Sequence, residues 1–154
     1  MAYNDMYMTT LTQADLIDDD VTAVLAGVPI KLGEYLIPAG MELALGFARY
    51  DDLERASGRL YIELKDDTDT AAVENGKVRL SIWSPQDRPL RILYEGRTEI
   101  AGASTARNLM VPLPESVYNI REDQKLVLEF ISDESDNIVK ADCTIYVDCT
   151  IFIV

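Results

Sequence analysis

The sequence predicts an all-β fold, an antiparallel β-sandwich of jelly-roll or other Greek-key type with a short N-terminal arm. Three observations carry that expectation. From Glu42 onward apolar and polar residues alternate with period two, the mark of strands with one face on a core and one in water. Stretches rich in turn-forming residues separate the alternating runs. No segment has the length and periodicity of the helical crossovers that a parallel sheet needs. At 154 residues one core is enough, and folding buries roughly two thirds of the surface the unfolded chain exposes. The expected organisation is residues 1–27 as an arm or short helical segment and 28–154 as the sandwich.

At the start of the chain Tyr3, Met6, Tyr7 and Met8 cluster in a stretch too short to build its own core, and Met with Tyr adapts readily to another surface. The arm therefore either docks on a neighbour, packs on its own domain or stays unordered. Thr12-Gln13-Ala14-Asp15 has the spacing of a helix-starting cap. Asp20 ahead of Val21–Ala26, with Gly27 behind, flanks one helical turn or a strand.

The strands then follow in order. Leu43, Leu45 and Phe47 share one face, and after the polar link from Asp51 to Gly58, Leu60, Ile62 and Leu64 share another. Val78, Leu80 and Ile82 alternate with Lys77, Arg79, Ser81 and Trp83, and Leu90, Ile92 and Tyr94 alternate with Arg91, Leu93 and Glu95. The joint between those two runs contains Pro85 and Pro89, which fix φ and donate no ladder hydrogen bond, so it is a turn. A short extended piece from Asn108 to Leu113 is closed by prolines, and Lys125–Ser132 places Leu126, Leu128 and Phe130 on one side. In the last run, Ala141–Val154, every odd position from Ala141 to Ile153 is apolar or a thiol; the alternation ends in Ile151-Phe152-Ile153-Val154, which is expected to be covered on both faces. So apolar a terminus either finishes a core or meets a second subunit, which makes Phe152 and Val154 interface candidates beside Tyr3, Met6, Tyr7 and Met8.

Cys143 and Cys149, six residues apart in that strand, sit about 20 Å from each other and cannot be bridged together. Buried thiols in a reducing compartment are expected. Met1–Met6 has no basic segment followed by an apolar one, and no run approaches the ~20 apolar residues of a membrane-spanning helix, so synthesis in a cytoplasm and no membrane partner are expected. Fourteen Lys and Arg against 27 Asp and Glu give a formal charge of −13, which repels phosphates and argues against nucleic acid.

The chain contains no histidine, which removes Ser–His and Cys–His nucleophile pairs, the common zinc sites and the usual general base near neutral pH. No phosphate loop, dinucleotide fingerprint or nucleophile elbow occurs. The chain is expected not to be an enzyme and to need no cofactor. A carboxylate-only hydrolase survives that filter, with Glu63, Glu95, Glu99 and Glu129 in or beside strands, yet no two are singled out as a pair. Asp67 and Asp69 in one acidic cluster, and Asp133 and Asp136 in another, offer the hard oxygens that calcium takes; solvated turns use the same residues. Trp83 and Tyr61 lie on the outward sets of their strands and, if those strands pair, form an aromatic platform for a sugar ring; alternatively Trp83 lies under a loop.

In size, β content, expected cytoplasmic synthesis, absence of histidine and possession of an arm, the chain resembles the capsid decoration, or cement, proteins of tailed bacterial and archaeal viruses. The resemblance covers the chain in general style and has no motif that assigns residues. It implies a protein on the virion surface that binds the outside of a major capsid protein lattice, often as a trimer or other homo-oligomer. Tail, fibre and head-spike components share most of these features, and a carbohydrate-binding module is the other binding reading.

Overall fold

The computed structural model describes residues 5–12, 21–48, 55–56, 60–65, 76–102, 105–110, 119–133, 136–139 and 144–153. Among the described residues fifteen strands run in chain order: β1 (Asp5–Thr12), β2 (Val21–Val24), β3 (Ile30–Leu36), β4 (Met41–Leu45), β5 (Phe47–Ala48), β6 (Arg55–Ala56), β7 (Leu60–Lys65), β8 (Gly76–Trp83), β9 (Pro89–Arg97), β10 (Glu99–Gly102), β11 (Thr105–Met110), β12 (Asn119–Arg121), β13 (Lys125–Ser132), β14 (Asp136–Val139) and β15 (Thr144–Ile153). Among the described residues there is no helix.

Two antiparallel sheets face each other. The smaller has the order β3-β13-β8-β9. In the larger, β15 is the axis: β1 runs along one edge of it, from Asp5 opposite Ile153 to Thr12 opposite Tyr146. On the other edge β4 pairs with residues 149–153 and β7 with residues 144–147, so β4 and β7 are two halves of one row. The next row is divided in the same way, with β12 beside β4 and β11 beside β7, and β10 closes that edge. Merging the halves, successive rows alternate between the sheets except at the β8–β9 and β10–β11 hairpins, which is the topology of a jelly roll with one added edge strand.

Gly46 marks the point where the divided row breaks. It takes φ +81°, donates its N–H to the Asp148 carbonyl at 2.7 Å, and its own carbonyl accepts from Thr150 Oγ1 at 2.9 Å. A side chain at that φ would be strained, so the residue read from alternation as mid-strand is a corner. The chain then forms the small β5–β6 pair, with β5 lying beside β15 and β1.

The core fills the space between the sheets with the inward rows of both: Leu43, Leu60, Ile62 and Ile145 from one, Leu32, Leu80, Leu128 and Phe130 from the other. Cys149 lies in it, as expected of the odd positions of β15; Cys143 is outside the described residues. At the chain end Ile151 and Phe152 are both buried on opposite faces of β15, so this strand is covered on both sides.

Of the readings left open, Val21–Val24 takes the strand, paired with β14, and the backbone of Asp5–Thr12 packs on its own domain as a sheet row of the sandwich. In β9 the expected face holds at Tyr94 and fails at Leu90 and Ile92. Leu90 and Ile92 are each 55% exposed, whereas Leu93 and Tyr94 pack on the core. The cause is two register shifts against β8, between Leu80 and Ser81 and between Ile82 and Trp83. Each inserts a residue and moves the period-two pattern to the other side.

Candidate functional site

The outward face of the four-stranded sheet is the best-organised polar surface among the described residues. Its centre is β13, where Leu126, Leu128 and Phe130 point to the core and Val127, Glu129 and Ile131 point away from it; all six are buried, Val127 at 0% exposure. Outward residues on a central strand are covered when long neighbours on both flanking strands lay their aliphatic stems over them.

The register builds one row across all four strands. Lys31 of β3 is opposite Glu129 of β13, Glu129 is opposite Arg79 of β8, and Arg79 is opposite Glu95 of β9. Signs alternate along that row, so each charge has opposite neighbours at cross-strand distance. Arg79 Nε donates to Glu95 at 2.8 Å and its Nη1 lies 3.7 Å from Glu129; Lys77 Nζ also donates to Glu95, at 2.9 Å. Hydrogen bonds from Lys77 and then Arg79 hold the Glu95 carboxyl below the ordinary range.

Glu129 behaves differently. Burial pushes its carboxyl above the ordinary range, and the attraction of Arg79 and Lys31 only partly offsets this. The folded chain therefore holds that proton more tightly than the unfolded chain. The corresponding stability is fully present below the ordinary carboxylate value of about 4.3 and is lost as pH rises through the raised folded value. Glu129→Gln, which cannot ionise, is expected to melt above the parent at pH 7 and together with it near pH 3.5. Thermal melts across that range check it; a variant that melts below the parent at pH 7 would show that the pairing with Arg79 outweighs burial.

A second cluster surrounds Asp87, in the Ser84–Arg88 turn at φ +60°. Its carboxylate accepts from Lys125 at 2.9 Å and lies 3.6 Å from Lys31, which itself donates to Glu34 at 2.9 Å. The hydrogen bond from Lys125 lowers the Asp87 carboxyl, and the one from Lys31 lowers that of Glu34. Trp83 is half-buried beside them, its Nε1 donating to Ser81 Oγ at 3.0 Å and Lys31 Nζ standing 5.0 Å from its ring centroid. That is the geometry of a cation–π contact.

The sequence-derived candidates scatter over this architecture. Trp83 and Tyr61 do not share a platform, because β8 and β7 lie in different sheets; Tyr61 stacks at a tilt on Tyr146, ring centroids 6.1 Å apart, and donates to Glu63 at 2.6 Å. The condition for the sugar platform, that the two strands pair, is not met. Of the four carboxylates, Glu95 and Glu129 come together on either side of Arg79, a pairing the sequence did not single out. Glu63 belongs to the other sheet, and the side chain of Glu99 is outside the described residues, as are Asp67, Asp69, the side chain of Asp136, Tyr3, Val154 and the side chains of Met6, Tyr7 and Met8. Asp133 is exposed and ion-paired with Arg97 at 2.5 Å, which lowers its carboxyl. Among the described residues no three Cys, Asp or Glu side chains group as metal ligands, and no helix is long and apolar enough to cross a membrane. Phe152 is only 3% exposed within its own chain, so it packs in this fold rather than presenting itself to a partner.

No family model matches the sequence, and no curated protein is significantly similar to it. Among solved structures, the VP16–VP17 complex of bacteriophage P23-77 aligns over 96% of this chain and 99% of that one at TM-score 0.49 and 9% identity, and a VP2 mutant of infectious bursal disease virus over 99% of this chain but 32% of the other at 0.48 and 12%. VP17, a capsid protein of bacteriophage P23-77, aligns over 98% of this chain and 97% of its own length, with TM-score 0.59 and 7% identity, and on that match the two proteins share one fold.

Proposed function

We propose that this chain is a structural protein of a viral capsid. The observation that carries the reading is the near end-to-end correspondence of a single jelly roll with a capsid protein, in which neither chain has a substantial part left over. A histidine-free sequence whose polar row on the smaller sheet is organised in ion pairs fits a contact surface better than a proton-transfer site.

Within that role, the resemblance in size, β content and absence of histidine points to a decoration protein, seated on the outside of a shell as a homo-oligomer and stabilising it. The full-length match to a capsid protein favours a second reading, a subunit that builds the shell itself. Particles assembled with and without the chain separate the two. A decoration protein leaves a complete shell that ruptures several degrees earlier on heating; a shell subunit leaves no closed particle. Particles that neither contain the chain nor change on its removal would refute the capsid role in both forms.

A further inference from the structure

The chain as a whole is strongly acidic, but its charge is not evenly spread. The four strands of the smaller sheet, the Ser84–Arg88 turn and Asp133, which pairs with Arg97, hold seven of the 14 Lys and Arg and only five of the 27 Asp and Glu. This sheet is therefore net positive on a molecule of formal charge −13, and every other part of the chain together is more acidic than the whole. Arg88 and Arg91 are exposed at the hairpin end of the sheet, beside the exposed apolar Leu90 and Ile92.

We propose that the outward face and hairpin end of the four-stranded sheet dock on the acidic remainder of a second copy of this chain. The occupant follows from charge complementarity: one copy carries both a net-positive sheet and, in the rest of its sequence, a larger excess of acidic residues, and opposite potentials steer the two together while like faces repel. A contact between two different surfaces of identical chains is heterologous, so it repeats from copy to copy and builds rings or open filaments rather than closing as a dimer. The alternating row Lys31–Glu129–Arg79–Glu95 keeps the centre of the face close to neutral, so burying it leaves few unpaired charges. This deepens the capsid reading, on which it rests for its biological use.

The test uses the full chain. Sedimentation velocity over a concentration series at 50 mM and 500 mM salt is expected to show association that weakens at least tenfold at the higher salt, as contacts between exposed charges do. The double variant Arg88→Glu/Arg91→Glu, outside the alternating row, is expected to keep the parental melting temperature and to lose at least tenfold in association constant. A milder Arg88→Ser/Arg91→Ser variant gives the same readout if the reversal impairs folding. A parent that stays monomeric at low salt, association indifferent to salt, or variants that associate like the parent would each overturn the proposal. So would tighter binding of a labelled oligonucleotide than of a second copy, since it would give the face to nucleic acid. Particles that incorporate the double variant normally would remove this interface and leave the capsid role standing.

Discussion

Deleting residues 1–12 is expected to destabilise the fold by about 3–6 kcal/mol, a large share of the 5–15 kcal/mol that typical domains have. The strand β1 covers β15 for eight consecutive facing pairs. The lost ladder bonds, each about 0.5–1.5 kcal/mol net, are largely offset by the backbone entropy the removed residues no longer lose, about 1–2 kcal/mol each. The remaining cost comes from what β1 leaves behind. Leu11, buried in the core, gives up roughly 1.5–3 kcal/mol of burial. Asp148, buried on the outward face of β15, loses the Thr10 hydroxyl that donates to it at 2.6 Å, a further loss of about 1–3 kcal/mol. An uncovered β15 edge also invites pairing with another chain, so aggregation should accompany the loss. Circular-dichroism melts and size-exclusion chromatography read both effects. A truncated chain that melts within two degrees of the parent would mean that β1 is dispensable to the fold and acts as the arm expected from the sequence.

Phe130→Ala is the point substitution with the largest expected effect, about 3–5 kcal/mol, because the fully buried ring leaves a cavity at the middle of the smaller sheet. Its neighbour Gly76 reports on the same site from the opposite direction. A Cβ there would stand 2.6 and 2.7 Å from ring carbons of Phe130 and 2.7 Å from the Ile131 carbonyl. Gly76 is also fixed at the backbone, donating to Thr98 Oγ1 at 3.1 Å and accepting from the Thr98 N–H at 2.8 Å. The strand cannot retreat without breaking that clip, so Gly76→Ala should cost about 1–3 kcal/mol through overpacking. Combined with Phe130→Leu, which removes the ring, the two changes should cost less than their sum, while the carbonyl contact keeps part of the penalty. Denaturant melts of the four proteins give the coupling directly, and strict additivity would refute the contact.

Where period-two alternation is unbroken, the sequence was a sufficient guide. The odd positions of β15 from Ile145 to Ile151 and the Leu126, Leu128 and Phe130 row of β13 point to the core as expected, because a pleated strand turns every second side chain to one side whatever its partners are. The β8–β9 hairpin was legible from its two prolines. It failed in β9, where bulges depend on the partner strand, and at Gly46, whose corner depends on carbonyl and hydroxyl groups of a strand a hundred residues away.

The candidate site was less legible than the fold. Lys31, Arg79, Glu95 and Glu129 are each ordinary outward residues in the sequence, separated by as many as 98 positions, and no spacing rule links them. What composition and pattern determined alone was the fold class, the acidic balance and the absence of histidine chemistry, since these depend only on which side chains occur and how they alternate. Which strands became neighbours, and therefore which charges alternate across one face and whether Trp83 could meet Tyr61, was decided by tertiary pairing. Side-chain period selects a face, but only hydrogen-bonded register selects the residue on the adjacent strand.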